Sequence, residues 1–255
     1  MGDRGTTVAG VGLDAASLTS LAVLGDDLRR RMFQFARRAR RPVTREEVAD
    51  SLGISRKLAA FHLDKLVAAG LLHTHYASAA GIRKVGRRPK VYELATEAIA
   101  VSIPERRYEI LAGFLTEAVT APADGESARE AALRVAREHG EALGAADRAR
   151  VRPGRLGAER GLSLAAETLE EFGFEPERTA PTVLRLRNCP FHPLAAEAPQ
   201  LVCGVNQAFL AGYLRGLGSD RTVAVQAPRP GSCCVELRGG EAAGPPWEDG
   251  TACER

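Results

Sequence analysis

Residues 43–72 constrain this chain more than any other stretch, because they hold two short helix signatures separated by a single glycine. Thr44 stands where a helix begins, and Glu47 three residues on completes a capping box. Val48, Ala49 and Leu52 give that helix an inner face, and Gly53 allows a tight turn. Ser55 caps the next helix, which runs to about residue 69 with Ala59, Leu63 and Leu66 pointing inward, until Gly70 stops it. Upstream, Leu28, Met32, Phe35 and Ala39 recur at helical spacing, and Asp26 and Asp27 put negative charge where a helix dipole favours it. Pro42 ends that helix. Two short helices meeting across a glycine turn, with a small residue at the contact, form a helix-turn-helix unit.

Downstream, Leu71-Leu72-His73-Thr74-His75-Tyr76 and Lys90-Val91-Tyr92-Glu93-Leu94 read as two strands. Between them lies Gly81-Ile82-Arg83-Lys84-Val85-Gly86-Arg87-Arg88-Pro89, a basic loop stiffened by Pro89. Helix, helix-turn-helix and basic strand-loop-strand in this order describe a winged helix. The charge follows the same division. Residues 1–98 carry 17 Lys+Arg against 10 Asp+Glu, a net of +7, and the remaining 157 carry 18 against 22, a net of −4. That asymmetry, hidden in the overall +3, points to an anionic partner for the first half, double-stranded nucleic acid above all.

The run Glu47-Val48-Ala49-Asp50-Ser51-Leu52-Gly53-Ile54-Ser55-Arg56, with His62-Leu63-Asp64-Lys65-Leu66-Val67-Ala68-Ala69-Gly70-Leu71-Leu72 after it, resembles winged-helix regulators of the arsenic-repressor and multiple-antibiotic-repressor type. The resemblance implies a dimer reading a palindromic operator. It places Arg56, Lys57, Ala60, Phe61 and Lys65 on the outer face of the recognition helix. There, Arg and Lys donate to guanine edges or phosphates, and Phe61 meets thymine methyls. Arg87 and Arg88 reach the minor groove or the backbone. His62 is expected to be structural or a phosphate contact, and His73 and His75 to be surface residues.

The second half begins after a connection at residues 96–104. Tyr108, Leu111, Leu115 and Val119 make a helical stripe, which residues 122–125 break. A second helix is expected over about residues 127–143, a basic loop over 150–157, and a third helix over 162–172 ended by Gly173. These apolar stripes exceed what a small sheet can cover, so a homodimer is expected. After Pro181, Val183-Leu184-Arg185-Leu186-Arg187 reads as a strand. Val205, Phe209, Tyr213 and Leu217 form one face of a helix ending at Gly218. Val223-Ala224-Val225 and Cys233-Cys234-Val235-Glu236-Leu237 read as two more strands. The fold class is α+β: a winged helix at 17–98, a helical dimerisation region at 104–176 and a β-α-β-β domain at 181–238, with disordered ends at 1–16 and 239–255.

Of five cysteines, four fall between residues 189 and 234. Cys189 follows the first strand of the β-α-β-β unit, Cys203 precedes or opens its helix, and Cys233 begins its last strand, so the three can converge at one end of the sheet. Pro190 and Pro193 stiffen the first loop. Period-two alternation puts Cys233 on the buried face with Val235 and Leu237, and Cys234 on the other. Thiolates are soft ligands for zinc or iron–sulfur clusters. Cys234 reads as a small hydrophobe, and Cys253, in the tail, takes no role.

Asn188-Cys189-Pro190-Phe191, Val202-Cys203-Gly204 and Cys233-Cys234-Val235-Glu236-Leu237, set behind a winged helix, resemble the C-terminal domain of the iron–sulfur-dependent repressors of cluster-assembly (Suf) operons and related actinobacterial regulators. The resemblance implies that Cys189, Cys203 and Cys233 are cluster ligands; with no fourth thiolate evident, [4Fe–4S] with a non-Cys ligand, [2Fe–2S] and zinc in a Cys₃His site all stay open. His192, Cys234, a carboxylate, water or a second subunit are candidates for the fourth position. The spacing departs from a four-cysteine pattern: thirteen residues separate Cys189 from Cys203, and twenty-nine separate Cys203 from Cys233.

The expected function is therefore a cytoplasmic, homodimeric DNA-binding regulator, read as a repressor, whose operator binding is controlled by a cluster. A regulator with a small-molecule effector domain is the alternative, and a cysteine-dependent enzyme a weaker one, since no orienting third group or cofactor loop accompanies Cys189, Cys203 and His192. No apolar run is long enough to span a membrane, and residues 1–16 lack the pattern of a signal peptide.

Overall fold

A computed structural model describes residues 15–76, 88–95 and 101–240. They fall into two units, one within Leu13–Val101 and the other within Ser102–Arg255. In the first, helices α1 (Ala15–Leu24), α2 (Asp27–Ala39), α3 (Arg45–Leu52) and α4 (Arg56–Ala68) combine with strands β1 (Val43–Thr44), β2 (Leu72–Tyr76) and β3 (Lys90–Leu94). The Thr44 and Ser55 caps form where the sequence placed them, and Asp26, expected only as a favourable charge, is a cap as well. Asp26 accepts from the Arg29 amide at 2.9 Å, Thr44 and Glu47 close a capping box, and Ser55 accepts from the Leu58 amide at 3.2 Å. Gly53 takes φ +67°, a left-handed value that costs a side-chain-bearing residue energy. Met32, Val48, Ala49, Ala59, Leu63 and Leu66 are buried together.

The small sheet is antiparallel in the order β1-β3-β2, with Val43 opposite Tyr92 and Thr74 opposite Tyr92 on the other side. Strand β1 was not expected from the sequence. Two residues give no periodicity, and only pairing with β3 makes them a strand. Helix α1, reaching into the segment expected to be disordered, was also missed. Its Ser20 hydroxyl donates to the Ala69 carbonyl at 2.6 Å, bracing the end of α4.

The second unit contains α5 (Tyr108–Thr120), α6 (Ala128–Val151), α7 (Ala158–Glu171), β4 (Pro176–Ala180), β5 (Val183–Leu186), α8 (Leu194–Glu197), α9 (Pro199–Leu217), β6 (Thr222–Gln226) and β7 (Val235–Gly239). Its sheet is antiparallel in the order β4-β5-β7-β6. The expected β-α-β-β unit is thus extended by an edge strand, β4, whose polar composition hid it. Leu184, Ala224 and Leu237 lie in one row across β5, β6 and β7 and are buried with α7 and α9.

Two helix readings need correction. Helix α6 continues to Val151, past the end expected near residue 143 and into the supposed loop. The buried face of α5 is Leu111, Phe114 and Ala118, while Tyr108 is 40% and Val119 72% exposed. The expected stripe was displaced by Phe114, which packs against Phe209 of α9 with ring centroids 5.6 Å apart.

A buried polar knot joins α6, α7 and α9. The Asp147 carboxylate accepts from Thr168 Oγ1 at 2.5 Å, Tyr213 Oη at 3.0 Å and Arg150 at 2.8 Å. Burial works against ionising Asp147, but these hydrogen bonds outweigh it and hold the carboxyl below its ordinary value of 3.8. A carboxyl depressed on folding stabilises the protein above its unfolded pKa. That contribution is lost as pH falls through the lower folded value. Asp147→Asn is therefore expected to lower the melting temperature at neutral pH and to flatten the loss of stability below about pH 4. Equal acid sensitivity in the two proteins would contradict the knot.

Candidate nucleic-acid interface and cysteine cluster

Helix α4 is held by its buried side, where Ala59, Leu63 and Leu66 have no exposed surface and His62 is 9% exposed. His62 packs on this buried side, and its buried Nδ1 has no hydrogen-bond partner among the described residues. The opposite side carries Arg56, Lys57, Phe61 and Lys65, all exposed, with Ala60 partly covered. No ion pair among the described residues engages Arg56, Lys57 or Lys65. Phe61 is 54% exposed, and the Lys65 ammonium lies 5.7 Å from its ring centroid. A large aromatic left in water beside cations is poor packing for an isolated domain and good chemistry for a base edge.

The only carboxylate on α4, Asp64, is turned toward β3, where Lys90 donates to it at 2.6 Å and Tyr92 at 3.0 Å. Arg88, at the base of the wing, is exposed. Arg87 and the rest of the loop at 77–87 lie outside the described residues, as does Cys253. The sequence reading missed a second basic surface. A cleft between α2 and α3 is lined by Arg31, Arg38 and Arg41 over Phe35 and Leu52. The run Arg37-Arg38-Ala39-Arg40-Arg41 was its signal.

In the second unit, Cys189 sits in the loop after β5, Cys203 within α9 and Cys233 just before β7. Cys203 and Cys233 are buried, Cys189 is partly buried, and none is in a disulfide. The structure brings the three thiols into one another's fields. The Cys233 thiol donates a hydrogen bond that lowers the Cys189 pKa against the effect of burial, helped by the Phe191 and His192 amides and by Arg106. Cys233 is correspondingly raised, by that bond and by burial. Burial and neighbouring Cys189 push Cys203 up to about 12.

Asn206, one helical turn past Cys203, donates to Cys233 Sγ at 3.2 Å, and its buried Oδ1 has no hydrogen-bond partner among the described residues. His192, partly buried, follows Cys189 in the same loop, whereas Cys234, buried beside Cys233 rather than on the opposite face, is disulfide-bonded and so offers no free thiol for the fourth position. Thiolate sulfur is the donor type that zinc and iron–sulfur sites use. As they stand, no three His, Cys, Asp or Glu side chains among the described residues are arranged to hold a metal ion.

The cysteine loop is clamped to the segment that enters α5. The Arg107 amide donates to the Pro190 carbonyl at 2.9 Å. Arg106 reaches Asn188 Oδ1 at 2.6 Å and the Cys189 carbonyl at 3.3 Å. Tyr108 Oη donates to the His192 carbonyl at 2.8 Å. Asn188, 6% exposed, returns bonds to the Glu105 and Gly173 carbonyls at 2.9 and 2.6 Å. Sequence reasoning saw Asn188 only as part of a motif, and no local signal showed that residues 105–108 would be its partners.

Against known families, residues 24–75 match a helix-turn-helix domain, spanning α2 through most of β2. No curated protein matches the chain. The match and the exposed cationic face of α4 agree on a DNA-binding regulator. Among the described residues no helix is long and apolar enough to cross a membrane.

Proposed function

We propose that the protein is a homodimeric transcriptional repressor that reads a palindromic operator through α4 and the wing, its affinity set by an iron–sulfur cluster on Cys189, Cys203 and Cys233. What supports this reading is that three sequence-distant free thiols are buried or partly buried in one unit, with Asn206, one turn past Cys203 on α9, donating to Cys233 Sγ at 3.2 Å. Zinc, with His192 completing a Cys₃His set, is the alternative use of the same donors. A bound cluster supplies a tie among three chain segments that oxidants or iron shortage can sever. The chain's own part is transmission. Arg106, Tyr108 and Asn188 fasten the Cys189 loop to residues 105–108, so movement of that loop is felt where the chain arrives from the DNA-reading unit.

On the DNA side, Lys57→Ala is expected to weaken specific binding by about 1–3 kcal/mol if Lys57 reads a base edge. Arg87→Ala with Arg88→Ala should instead reduce the salt dependence, by roughly one unit of slope per lost phosphate contact. Fluorescence anisotropy on an operator selected from genomic DNA measures both, and unchanged affinity and slope would refute the assigned face. Anaerobic reconstitution with iron and sulfide tests the sensor. Absorption near about 400 nm and a changed operator affinity are expected. Protein that stays colourless and free of iron refutes it.

A further inference from the structure

The helical layer of the second unit encloses a solvent-open cavity of about 370 Å³ between α5, α6, α9 and the end of α7. This is within the size range of small-molecule sites. Its wall is aromatic. Phe114, Phe209 and Phe172 stand in series with ring centroids 5.6 and 5.8 Å apart, and His139 continues the row 5.2 Å from Phe114. Its rim is acidic. Glu109 and Glu117, both from α5, are about half exposed, and no Lys or Arg lines the cavity among the described residues.

The charge balance favours an incoming cation. The Arg107 guanidinium, 2% exposed, is shared between Glu105 at 2.5 Å and Glu109 at 3.8 Å, so one positive charge meets two negative ones. Glu117 has His139 Nε2 at 2.7 Å. Aromatic faces carry negative potential, and two carboxylates add to it. Gly113, exposed, leaves the cavity mouth open, since a Cβ built there meets nothing within 4 Å. We infer that this cavity is a binding site for a hydrophobic organic cation, an aromatic or quaternary amine, which enters with its apolar body against the phenylalanines and its charge toward Glu109 and Glu117.

The site does not require the cluster. It lies on the same helix as the clamp, because α5 begins at Tyr108, which holds the cysteine loop, and then supplies Glu109, Gly113, Phe114 and Glu117. Occupation would thus give the regulator a second input through one rigid element.

Calorimetric titration of the full-length, metal-free protein tests the inference. The probes are benzyltriethylammonium and 3-phenylpropionate, which share an aromatic body and differ in charge. Saturable binding of the cation is expected, with the anion roughly tenfold weaker or undetectable. Glu109→Gln with Glu117→Gln should weaken the cation by roughly two- to fivefold. Gly113→Leu should abolish binding while keeping the melting temperature, because leucine fills open space and suits a helix better than glycine. Equal affinity for both probes, no saturable binding, or binding that survives Gly113→Leu overturns the inference. A Gly113→Leu protein with an altered sedimentation coefficient also overturns it, since the groove would then seat a second copy of the chain. None of these readouts depends on iron, so failure here leaves the cluster reading standing.

Discussion

Gly212→Ala is expected to destabilise the second unit by at least about 3 kcal/mol, although it adds one methyl group to a helix. Helix propensity alone predicts the opposite sign, a gain of about 1 kcal/mol. Packing decides the outcome. Helices α6 and α9 run parallel in backbone contact, through Gly140 and Gly144 on one and Gly212 and Gly216 on the other. A Cβ on Gly212 would sit 2.9 Å from the Arg137 carbonyl carbon and closer still to its oxygen. On Gly216 it would sit 2.8 Å from the Ala145 amide, and on Gly144 2.7 Å from the Leu217 amide. These neighbours are main chain inside long helices, so none can turn aside. The helices must separate, taking Phe209 and Tyr213 out of their packing and straining the Asp147 knot. Gly113→Ala, on the open side of α5, is the control and is expected to be neutral or slightly stabilising. Urea denaturation of the two variants measures the contrast. Equal stability of Gly212→Ala and the parent would show that the helices do not touch through their backbones.

Serine at Cys203 is expected to eliminate the absorption near about 400 nm after anaerobic reconstitution and to leave operator affinity at its cluster-free value. The substitution keeps the size of the side chain and exchanges a soft sulfur for a hard oxygen, which iron–sulfur and zinc sites discriminate against. Serine at Cys189 or Cys233 should do the same, since the three thiols act on one another as a group. Serine at Cys234 should leave both signals in place. A buried hydroxyl costs about 1–3 kcal/mol if unbonded, so melting curves must accompany each variant. Serine proteins that fold, keep their iron and keep their DNA response would end the sensor reading. The second half would then stand as a dimerisation or small-molecule domain.

The first unit was legible because its signals are local. A cap such as Thr44 with Glu47 acts over three residues, Gly53 and Gly70 act at single positions, and the inner face of α4 repeats within one helix. The residues offered for DNA contact follow directly, since the outer side of α4 is what its buried side leaves over. The strands flanking the wing were also readable, whereas β1 exists only because β3 offers it a register.

In the second unit the amino-acid sequence by itself determined that helices exist, that α9 ends at Gly218, and that Cys189 follows a strand and Cys233 precedes one, whereas Cys203, expected before or at the opening of the helix, lies a full turn inside α9. Tertiary structure decided which faces those helices bury. Phe114 turned inward because Phe209 was there to meet it, and Tyr108 and Val119 were left exposed. Glycines at 140, 144, 212 and 216 carry no apolar signal. Their meaning appears only when two helices distant in sequence close to backbone contact. The clamp of Asn188 and Arg106 and the acidic rim over an aromatic wall have the same origin. Each is a contact between segments tens of residues apart, formed by packing energy that no local pattern encodes.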